Sequence, residues 1–221
     1  MNQSILSKEQ IKEVLIERHG KQVYEKLKNA HVAIAGLGGL GSNVAVMLTR
    51  AGIGSLHLVD SDKVESSNLN RQIYRMKHLG RYKTKALTQE LKEINPYIRI
   101  TEDTIKVTEE NAAELFKEDL YICEAFDVPE CKAMLINTLL AAREDVFMVA
   151  GSGMAGYDSS NQIRTRKRMK NLWVCGDEIN GIEEKGSLMA PRVAICAGHQ
   201  ANLLIRLLLG EKEERRNYAG R

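Results

Sequence analysis

A glycine-rich turn between two apolar segments constrains the fold of this chain more than any other feature. The turn, 36–41, follows an apolar run at 32–35 and precedes a segment of helical character at 42–50. A second apolar segment, 55–59, ends in Asp60, about 20 residues after the last glycine, the separation expected for an acid that binds a ribose. Strand, glycine turn, helix, strand and acid in this order predict a βαβ unit that binds a nucleotide.

The chemistry of nucleotide binding explains each part of this unit. Gly36, Gly38, Gly39 and Gly41 lack a Cβ atom, so the backbone can turn sharply and approach a phosphate closely. The N-terminus of the following helix offers free N–H groups and a positive dipole end to the anion. Asp60 can accept hydrogen bonds from ribose hydroxyls. Glycines also gather in tight turns that bind nothing, so an unliganded α/β fold with a structural turn is the alternative.

The rest of the chain alternates between strand-like and helical segments. This alternation predicts an α/β fold, namely a doubly wound, Rossmann-like, mostly parallel sheet with N-terminal helices and a C-terminal extension. Ser7 and Gln10 predict a capping box for the first helix. We predict further strands at 98–101, 120–125 and 146–150, and helices at 83–94, 107–116, 129–142 and 191–209. We divide the chain into an N-terminal helical segment at 1–30, a nucleotide-binding core at 31–151, an extension of the same domain at 152–210 and a frayed tail at 211–221.

The composition narrows the classes of protein that fit. The chain has 221 residues, of which 43% are apolar, and a net charge of +3. This small charge gives no strong case for nucleic-acid binding, and no apolar run is long enough to span a membrane. The N-terminus lacks the basic and apolar regions of a signal peptide, which predicts a cytoplasmic protein. The four cysteines lie apart without a C-x-x-C pair, so we expect neither a structural zinc site nor a redox pair.

Polar residues around the predicted strands indicate which kind of nucleotide binds. Asn68 and Arg71 follow Asp60 in a polar loop. Lys83 begins a predicted helix, and Asp127 follows the fourth predicted strand, at the carboxyl end of the sheet. Two cations for the phosphates and a carboxylate for Mg²⁺ suit a triphosphate. A dehydrogenase, by contrast, needs only the acid in this loop.

Each of these residues also has a structural interpretation. Arg71 could pair with a surface carboxylate, and Asp127 could cap the helix that follows it. Lys85 could take the place of Lys83, although the order of residues favours Lys83. Asp62 is better explained by capping of its own loop than by substrate binding.

Taken together, the motifs resemble those of the ubiquitin-activating-enzyme-like adenylyltransferases. The matching residues are Gly36-x-Gly38-Gly39-x-Gly41, Asp60-x-Asp62-x-Val64-x-x-Ser67-Asn68-Leu69-x-Arg71-Gln72, Gly80-x-x-Lys83 and Ala190-Pro191-Arg192. The resemblance covers about residues 24–210. The short length, the run Cys175-Gly176-Asp177 and the missing zinc cysteines look most like a compact ThiF-type sulfur carrier protein adenylyltransferase of thiamine biosynthesis.

This resemblance implies a reaction and a site. ThiF-type proteins adenylate the C-terminal glycine carboxylate of a ubiquitin-fold sulfur carrier that ends in Gly-Gly, and they release pyrophosphate. By this similarity the glycine turn packs against ATP, Asp60 binds the ribose and Asn68 contacts the phosphates. Arg71 and Lys83 contact the phosphates as catalytic residues, and Asp127 is catalytic through the Mg²⁺ that it holds. The resemblance further implies a homodimer and assigns carrier docking and dimerisation to the C-terminal extension.

Some segments leave questions open under this resemblance. The family takes an arginine from the partner subunit's N-terminal segment, and either Arg18 or Lys21 could fill that role. Cys175 is the candidate for covalent sulfur transfer, although a lone cysteine more often only packs. The basic run 164–170 could dock an acidic face of the carrier or be a solvated loop. The final helix, 191–209, is apolar enough for burial against the sheet, a homodimer contact or both.

Other classes of function compete with adenylation. An NAD-dependent oxidoreductase would need a histidine or tyrosine acid near the nicotinamide, and no such motif stands out. A non-catalytic scaffold could bind a nucleotide and a ubiquitin-like partner, but retention of both Arg71 and Lys83 argues against it. A related enzyme that dehydrates a modified tRNA base through the same adenylation chemistry is a further alternative, which the modest net charge disfavours.

Overall fold

A computed structural model describes residues 5–211 as one sheet covered by helices. The strands are β1 His31–Ala35, β2 Ser55–Val59, β3 Arg99–Asp103, β4 Tyr121–Glu124, β5 Phe147–Gly151, β6 Arg164–Met169 and β7 Leu172–Gly176. The helices are α1 Lys8–His19, α2 Lys21–Lys28, α3 Gly39–Ala51, α4 Lys83–Ile94, α5 Glu109–Leu115, α6 Pro129–Ala142, α7 Ile182–Lys185 and α8 Ala190–Leu209.

The strand order is β3-β2-β1-β4-β5-β7-β6, and only β6 runs antiparallel to its neighbour in the described part of the chain. The chain first adds β2 and β3 on one side of β1, then crosses to the other side and adds β4 and β5. The order therefore reverses between β1 and β4, and their carboxyl ends border the crevice in which such sheets bind ligands. The prediction of a doubly wound, mostly parallel sheet is confirmed.

Helices on the two faces of the sheet enclose two apolar layers. α3, α4 and α8 pack on one face, where α8 lies along α3, and α5 and α6 pack on the other. Leu48 and Leu204 are fully buried in the first layer, and Phe116 and Leu135 in the second. The final helix is thus buried against the sheet, as one interpretation of its apolar sequence predicts. No helix within residues 5–211 combines the length and the apolarity that crossing a membrane requires.

Two segments differ from the sequence prediction. The helix expected at 42–50 begins earlier, at Gly39, because Gly39 and Gly41 lack the side chains that would collide with their neighbours in the first turn. The basic run 164–170, for which a solvated loop is one interpretation, forms the edge strand β6. Most of its charged residues remain exposed, and such charges on an edge strand oppose pairing with other chains.

The N-terminal helices form where the sequence predicts them. Ser7 and Gln10 form the expected capping box, with hydrogen bonds of 2.8 and 3.2 Å. α1 buries none of its residues, whereas α2 buries Tyr24 and Leu27. The tail predicted at 211–221 lies outside the described residues, apart from its first residue.

Candidate active site

The glycine turn lies against the end of β4, and close contacts exclude side chains at two of its positions. Gly36 has a φ of +90°, and a Cβ there would lie 2.9 Å from the carbonyl carbon of Ala125 and from the ring of Phe126. A Cβ on Gly41 would lie 1.9 Å from the carbonyl oxygen of Gly36. The turn therefore closes tightly against the strand across the switch point of the sheet.

The other two glycines of the motif shape the start of α3. A Cβ on Gly39 would meet Val193 of α8 at 2.9 Å and Cγ of Arg71 at 3.5 Å, so the polar loop can approach this helix closely. Gly38 is the N-cap of α3, and the nearest atom to a Cβ there is Nε2 of Gln72, at 3.7 Å. The N–H groups of the first helical turn have no partners within the helix and can bind an anion.

Asp60 directly follows β2, and backbone amides fix its carboxylate. The N–H of Leu37 donates to Oδ2 and the N–H of Asp62 donates to Oδ1, each at 2.7 Å. The pKa of Asp60 is raised because burial disfavours the charged carboxylate. The charge of Lys83 and the two amides lower the pKa, but by less than burial raises it. Each oxygen keeps a further lone pair, so the carboxylate is able to accept hydrogen bonds from ribose hydroxyls.

Of the two lysines at the start of α4, the structure brings Lys83 to this acid. Lys83 is 7% exposed, and its Nζ lies 2.8 Å from Oδ2 of Asp62 and 3.8 Å from Oδ2 of Asp60. Lys85 is exposed and instead pairs with Glu102 at 2.6 Å. The carboxylate of Asp62 binds Lys83 and is itself largely exposed, so a ligand can compete for this lysine.

Arg71 and Asn68 are held by the turn that carries them. Nη1 of Arg71 donates to the carbonyl of Ser67 and to the side chain of Asn70, both at 2.9 Å. These partners are neutral, and Nε of Arg71 is buried without a hydrogen-bond partner in the described part of the chain. Oδ1 of Asn68 accepts from the N–H of Glu65 at 3.0 Å and closes the turn. The guanidinium thus keeps unused hydrogen-bonding capacity beside the glycine turn.

Asp127 lies in the connection between β4 and α6, where it is exposed. Val128 is the N-cap of α6, so Asp127 does not cap that helix. The buried acid beside this connection is Glu124, the last residue of β4, which accepts from Nζ of Lys132 at 2.9 and 3.1 Å and from the N–H of Phe126 at 2.7 Å. Sequence reasoning missed this pair. In the described part of the chain, no group of three His, Cys, Asp or Glu side chains is placed to hold a metal ion.

Two polar side chains of α3 tie the polar loop to the glycine turn, and sequence reasoning missed both. The hydroxyl of Ser42 donates to the carbonyl of Gly38 at 2.6 Å and accepts from the N–H of Ile73 at 3.3 Å. Nδ2 of Asn43 donates to the carbonyl of Arg71 at 3.2 Å. Their position directly after the glycine motif is the only signal that the sequence offers.

Tyr74 provides a third contact between the polar loop and the glycine turn. Its hydroxyl is buried and donates to the carbonyl of Leu37 at 2.8 Å. Burial raises the pKa of Tyr74 well above its ordinary value, and the charge of Asp60 adds to this effect. The phenol therefore stays protonated and remains a donor to the glycine turn.

A second buried polar cluster lies beside β7. Arg192 donates to Oδ2 of Asp177 at 2.5 Å and to the carbonyls of Asp158 and Ser159 at 2.6 and 2.9 Å. The side chains of this ion pair are 4% and 3% exposed. Cys175, the predicted candidate for covalent chemistry, is fully buried close to this cluster. A carrier could not reach its thiol without opening the fold.

We expect Gly41→Ala to weaken nucleotide binding at least about tenfold, because the new methyl group would displace the turn that is expected to contact the phosphates. Gly198→Ala is a matched control, since a Cβ there meets nothing within 4 Å. Calorimetric titration of both folded variants gives the dissociation constants. Equal constants would show that the turn does not hold the nucleotide.

The chain is similar to known proteins in its sequence and in its fold. The model of the ThiF family matches residues 11–220. The adenylyltransferase and sulfurtransferase uba4 of Aspergillus clavatus is 35% identical over 128 residues, which cover 58% of this chain and 26% of that protein. The chain thus spans about a quarter of the length of this relative. The tRNA threonylcarbamoyladenosine dehydratase of Escherichia coli K12 is 31% identical over 156 residues, which cover 70% of this chain and 58% of that protein.

Solved structures share the fold. The E. coli dehydratase in complex with AMP superposes with a TM-score of 0.82 at 21% identity, and the alignment covers 95% of this chain and 99% of that one. E. coli MccB in complex with AMPCPP and MccA superposes with a TM-score of 0.65 at 27% identity, covering 87% of this chain and 60% of that one. The family match extends over nearly the whole chain and includes the glycine turn, Asp60 and the polar loop. The chain belongs to the ThiF family.

Proposed function

We propose that this chain uses ATP to adenylate the C-terminal carboxylate of a small ubiquitin-fold sulfur carrier protein, releasing pyrophosphate. The observation that carries the proposal is the convergence of an acid and two cations on the glycine turn. Lys83 Nζ lies 3.8 Å from the Asp60 carboxylate, and the stem of Arg71 lies beside Gly39. Relatives named as adenylyltransferases support this reaction. Hydride transfer would make no use of the two cations.

The reaction has to bring two anions together. The carboxylate of the carrier attacks the α-phosphorus of ATP, the bond to the β-phosphate oxygen breaks, and pyrophosphate leaves with its electron pair. Asp60 and the glycine turn hold the nucleoside and the phosphates in line for this attack. Arg71 and Lys83 offset the charge that develops on the α-phosphate oxygens. Lys83 exchanges the exposed Asp62 carboxylate for a phosphate oxygen when ATP binds.

We assign Asp127 to the Mg²⁺ that accompanies ATP. A Mg²⁺ ion on a nucleotide takes one or two carboxylates and completes its shell with phosphate oxygens and water. A single exposed carboxylate at the carboxyl end of β4 fits this requirement. When bound, the metal would neutralise phosphate charge, and Asp127 would fix its position beside the glycine turn.

We assign the carrier-docking surface to the exposed edge strand β6. Arg164 and Lys167 are exposed there, and Nζ of Lys167 lies 4.9 Å from the centre of the Trp173 ring. Arg166 and Arg168 both bind Glu178, which partly offsets their charge. The remaining positive charge suits an acidic face on the carrier.

A homodimer remains part of the proposal. Arg18 and Lys21 flank the corner between α1 and α2, and both are exposed. Either cation could reach the phosphates of a partner subunit's site. Because Cys175 is fully buried, we assign no covalent step to this chain, and the acyl-adenylate is its product.

Pyrophosphate exchange tests the proposal. The chain is incubated with ATP, Mg²⁺, labelled pyrophosphate and candidate carriers ending in Gly-Gly, and we expect label to enter ATP only when a carrier is present. A carrier without its last glycine is the control. Calorimetry should show that ATP binds more tightly than NAD. Tighter NAD binding, or no exchange with any carrier, would contradict adenylation of a carrier.

A second candidate is ATP-dependent dehydration of a modified tRNA base. Its support is the match to the E. coli dehydratase, which covers 70% of this chain at 31% identity, a larger share than the fungal relative covers. The same assay distinguishes the two candidates when tRNA replaces the carrier. ATP cleavage stimulated by tRNA and not by a carrier would favour dehydration.

A further inference from the structure

A buried row of hydrogen bonds crosses β1, β2 and β3 on the face of the sheet that α5 and α6 cover. Nδ1 of His57 lies 2.8 Å from Oδ2 of Asp119, and Nε2 lies 2.9 Å from Oδ2 of Asp103. Nε2 of His31 lies 2.6 Å from the other oxygen of Asp119. His57 and Asp119 are both buried. The proposed reaction uses none of these four side chains.

The geometry sets the protonation state of His57. A carboxylate oxygen only accepts hydrogen bonds, so both ring nitrogens must donate, and a ring with two N–H groups is the charged imidazolium. Burial lowers the pKa of His57, but the hydrogen bonds and charges of Asp119 and Asp103 outweigh it and raise the pKa above its ordinary 6.5. Both the geometry and the direction of this shift favour the charged ring, in which both nitrogens donate.

The surroundings of the ring contain both charged and apolar groups. The titratable and charged groups on the elements around it are Asp103 of β3, Asp119 of the turn before β4, His31 of β1 through Asp119, and Arg143 after α6, whose guanidinium donates to the carbonyl of Asp119 at 3.2 Å. Phe116, which directly follows α5, contributes an uncharged ring, with 5.6 Å between the ring centres. The two carboxylates are thus the direct polar partners of His57.

The end of β3 that His57 holds is in contact with the nucleotide site. The carbonyl of Asp103 accepts from the N–H of Asp60 at 3.3 Å. The next residue, Thr104, shares a 2.6 Å hydrogen bond between hydroxyls with Thr84, which follows Lys83 in α4. The acid proposed to bind ribose and the lysine proposed to bind phosphate therefore both adjoin this end of β3.

We propose that His57 is a positioning residue for the nucleotide site, which fixes the Asp103 end of β3 and, through it, the backbone at Asp60. The inference rests on the proposed nucleotide-binding function. Its charge-dependent contribution is fully present below 6.5, the ordinary value, and is lost as the pH rises through the higher pKa of the folded state. We expect the bond to Asp103 to open first on deprotonation, because Asp103 is the more exposed of the two carboxylates.

The test compares the full chain with three variants. Asp103→Ala removes the acceptor, and Asp103→Asn keeps an acceptor oxygen for the ring. Glu102→Ala is the matched control, because this neighbouring carboxylate pairs with Lys85 instead. Calorimetry gives ATP dissociation constants at about pH 6, below the ordinary pKa of the ring, and at about pH 9, well above that ordinary value. NMR measures the protection of the Asp60 amide against hydrogen exchange, without nucleotide.

We expect Asp103→Ala to weaken ATP binding about threefold to tenfold at the lower pH, which is the effect of losing one ordinary hydrogen bond. In the parent, we expect the affinity for ATP to fall as the pH rises. In Asp103→Ala, the affinity should not show this fall. Asp103→Asn should restore affinity at the lower pH, and Glu102→Ala should match the parent. The protection of the Asp60 amide should follow the same order.

Equal affinity and equal Asp60 protection in Asp103→Ala and Glu102→Ala would overturn the inference. A neutral His57 ring at pH about 7, seen in the ring carbon and nitrogen shifts, would overturn it as well. If the parent binds no ATP, the proposed function fails, and the protection of the Asp60 amide alone then decides the inference.

Discussion

Replacing Arg71 or Lys83 with alanine is expected to lower the rate of carrier adenylation at least about tenfold, or about 1.4 kcal/mol of activation free energy. The two cations are proposed to stabilise the pentacoordinate α-phosphate more than they stabilise ATP in its ground state. The affinity for ATP should therefore change less than the rate. Single-turnover kinetics at saturating ATP measure the rate, and calorimetry measures the affinity.

Two nearby cations serve as controls. Lys85 forms a surface ion pair and Arg81 binds a surface amide, and both are exposed. Lys85→Ala and Arg81→Ala should keep the rate of the parent because neither side chain meets Asp60 or the glycine turn. Single-turnover rates equal to the parent in both Arg71→Ala and Lys83→Ala would show that these residues are not catalytic.

Arg192→Leu is expected to lower the free energy of unfolding by about 3 kcal/mol or more. The substitution leaves the buried carboxylate of Asp177 without its cation, and it leaves the carbonyls of Asp158 and Ser159 without the donors that Arg192 supplies. Unpaired groups of this kind cannot regain water in a site that is only a few per cent exposed. Urea unfolding followed by circular dichroism measures the loss.

Arg168→Leu is the matched control, because that guanidinium is about half exposed and its ion pair contributes little. Adding Asp177→Asn to Arg192→Leu should recover part of the loss, since it removes the buried charge. A change of less than about 1 kcal/mol in Arg192→Leu would mean that water or a rearranged loop replaces the arginine.

We expect low pH to weaken the buried cluster of Arg192 and Asp177. Although burial raises the pKa of Asp177, hydrogen bonds from the N–H groups of Asn180 and Ile179 hold it below its ordinary 3.8. The stabilisation that this carboxylate provides is therefore present above that value and is lost as the pH falls through the lower pKa of the folded state.

Most of the helices and strands could be predicted because these elements carry local signals. The apolar runs of β1 and β5 and the Asn95-Pro96 stop after α4 require no knowledge of the rest of the chain. β6 lacks such a signal, since Arg164–Met169 has no continuous apolar face. It becomes a strand because β7 offers it a backbone edge, which is a property of the folded sheet.

Some parts of the candidate site could likewise be predicted from the sequence, and others could not. The glycine turn and Asp60 are close in sequence and could be predicted together. The choice between Lys83 and Lys85 depends on which side of α4 faces the sheet, and only the packed structure fixes that orientation. The Glu124–Lys132 pair could not be predicted, because a carboxylate at a strand end has no sequence signal for its partner.

The strand order has a consequence for how the chain responds to its ligand. The turn after β1 is built from the first half of the chain, yet it closes on Ala125 and Phe126 of the second half and lies beside Val193 of α8. A nucleotide held at that junction binds only when both halves are folded together. Binding of the ligand therefore stabilises the entire domain. The free energy of unfolding rises by about 2.7 kcal/mol when the ligand concentration is a hundred times the dissociation constant. For ATP, the proposed nucleotide, we expect the lifetime of the protein against degradation to shorten as the ATP concentration falls.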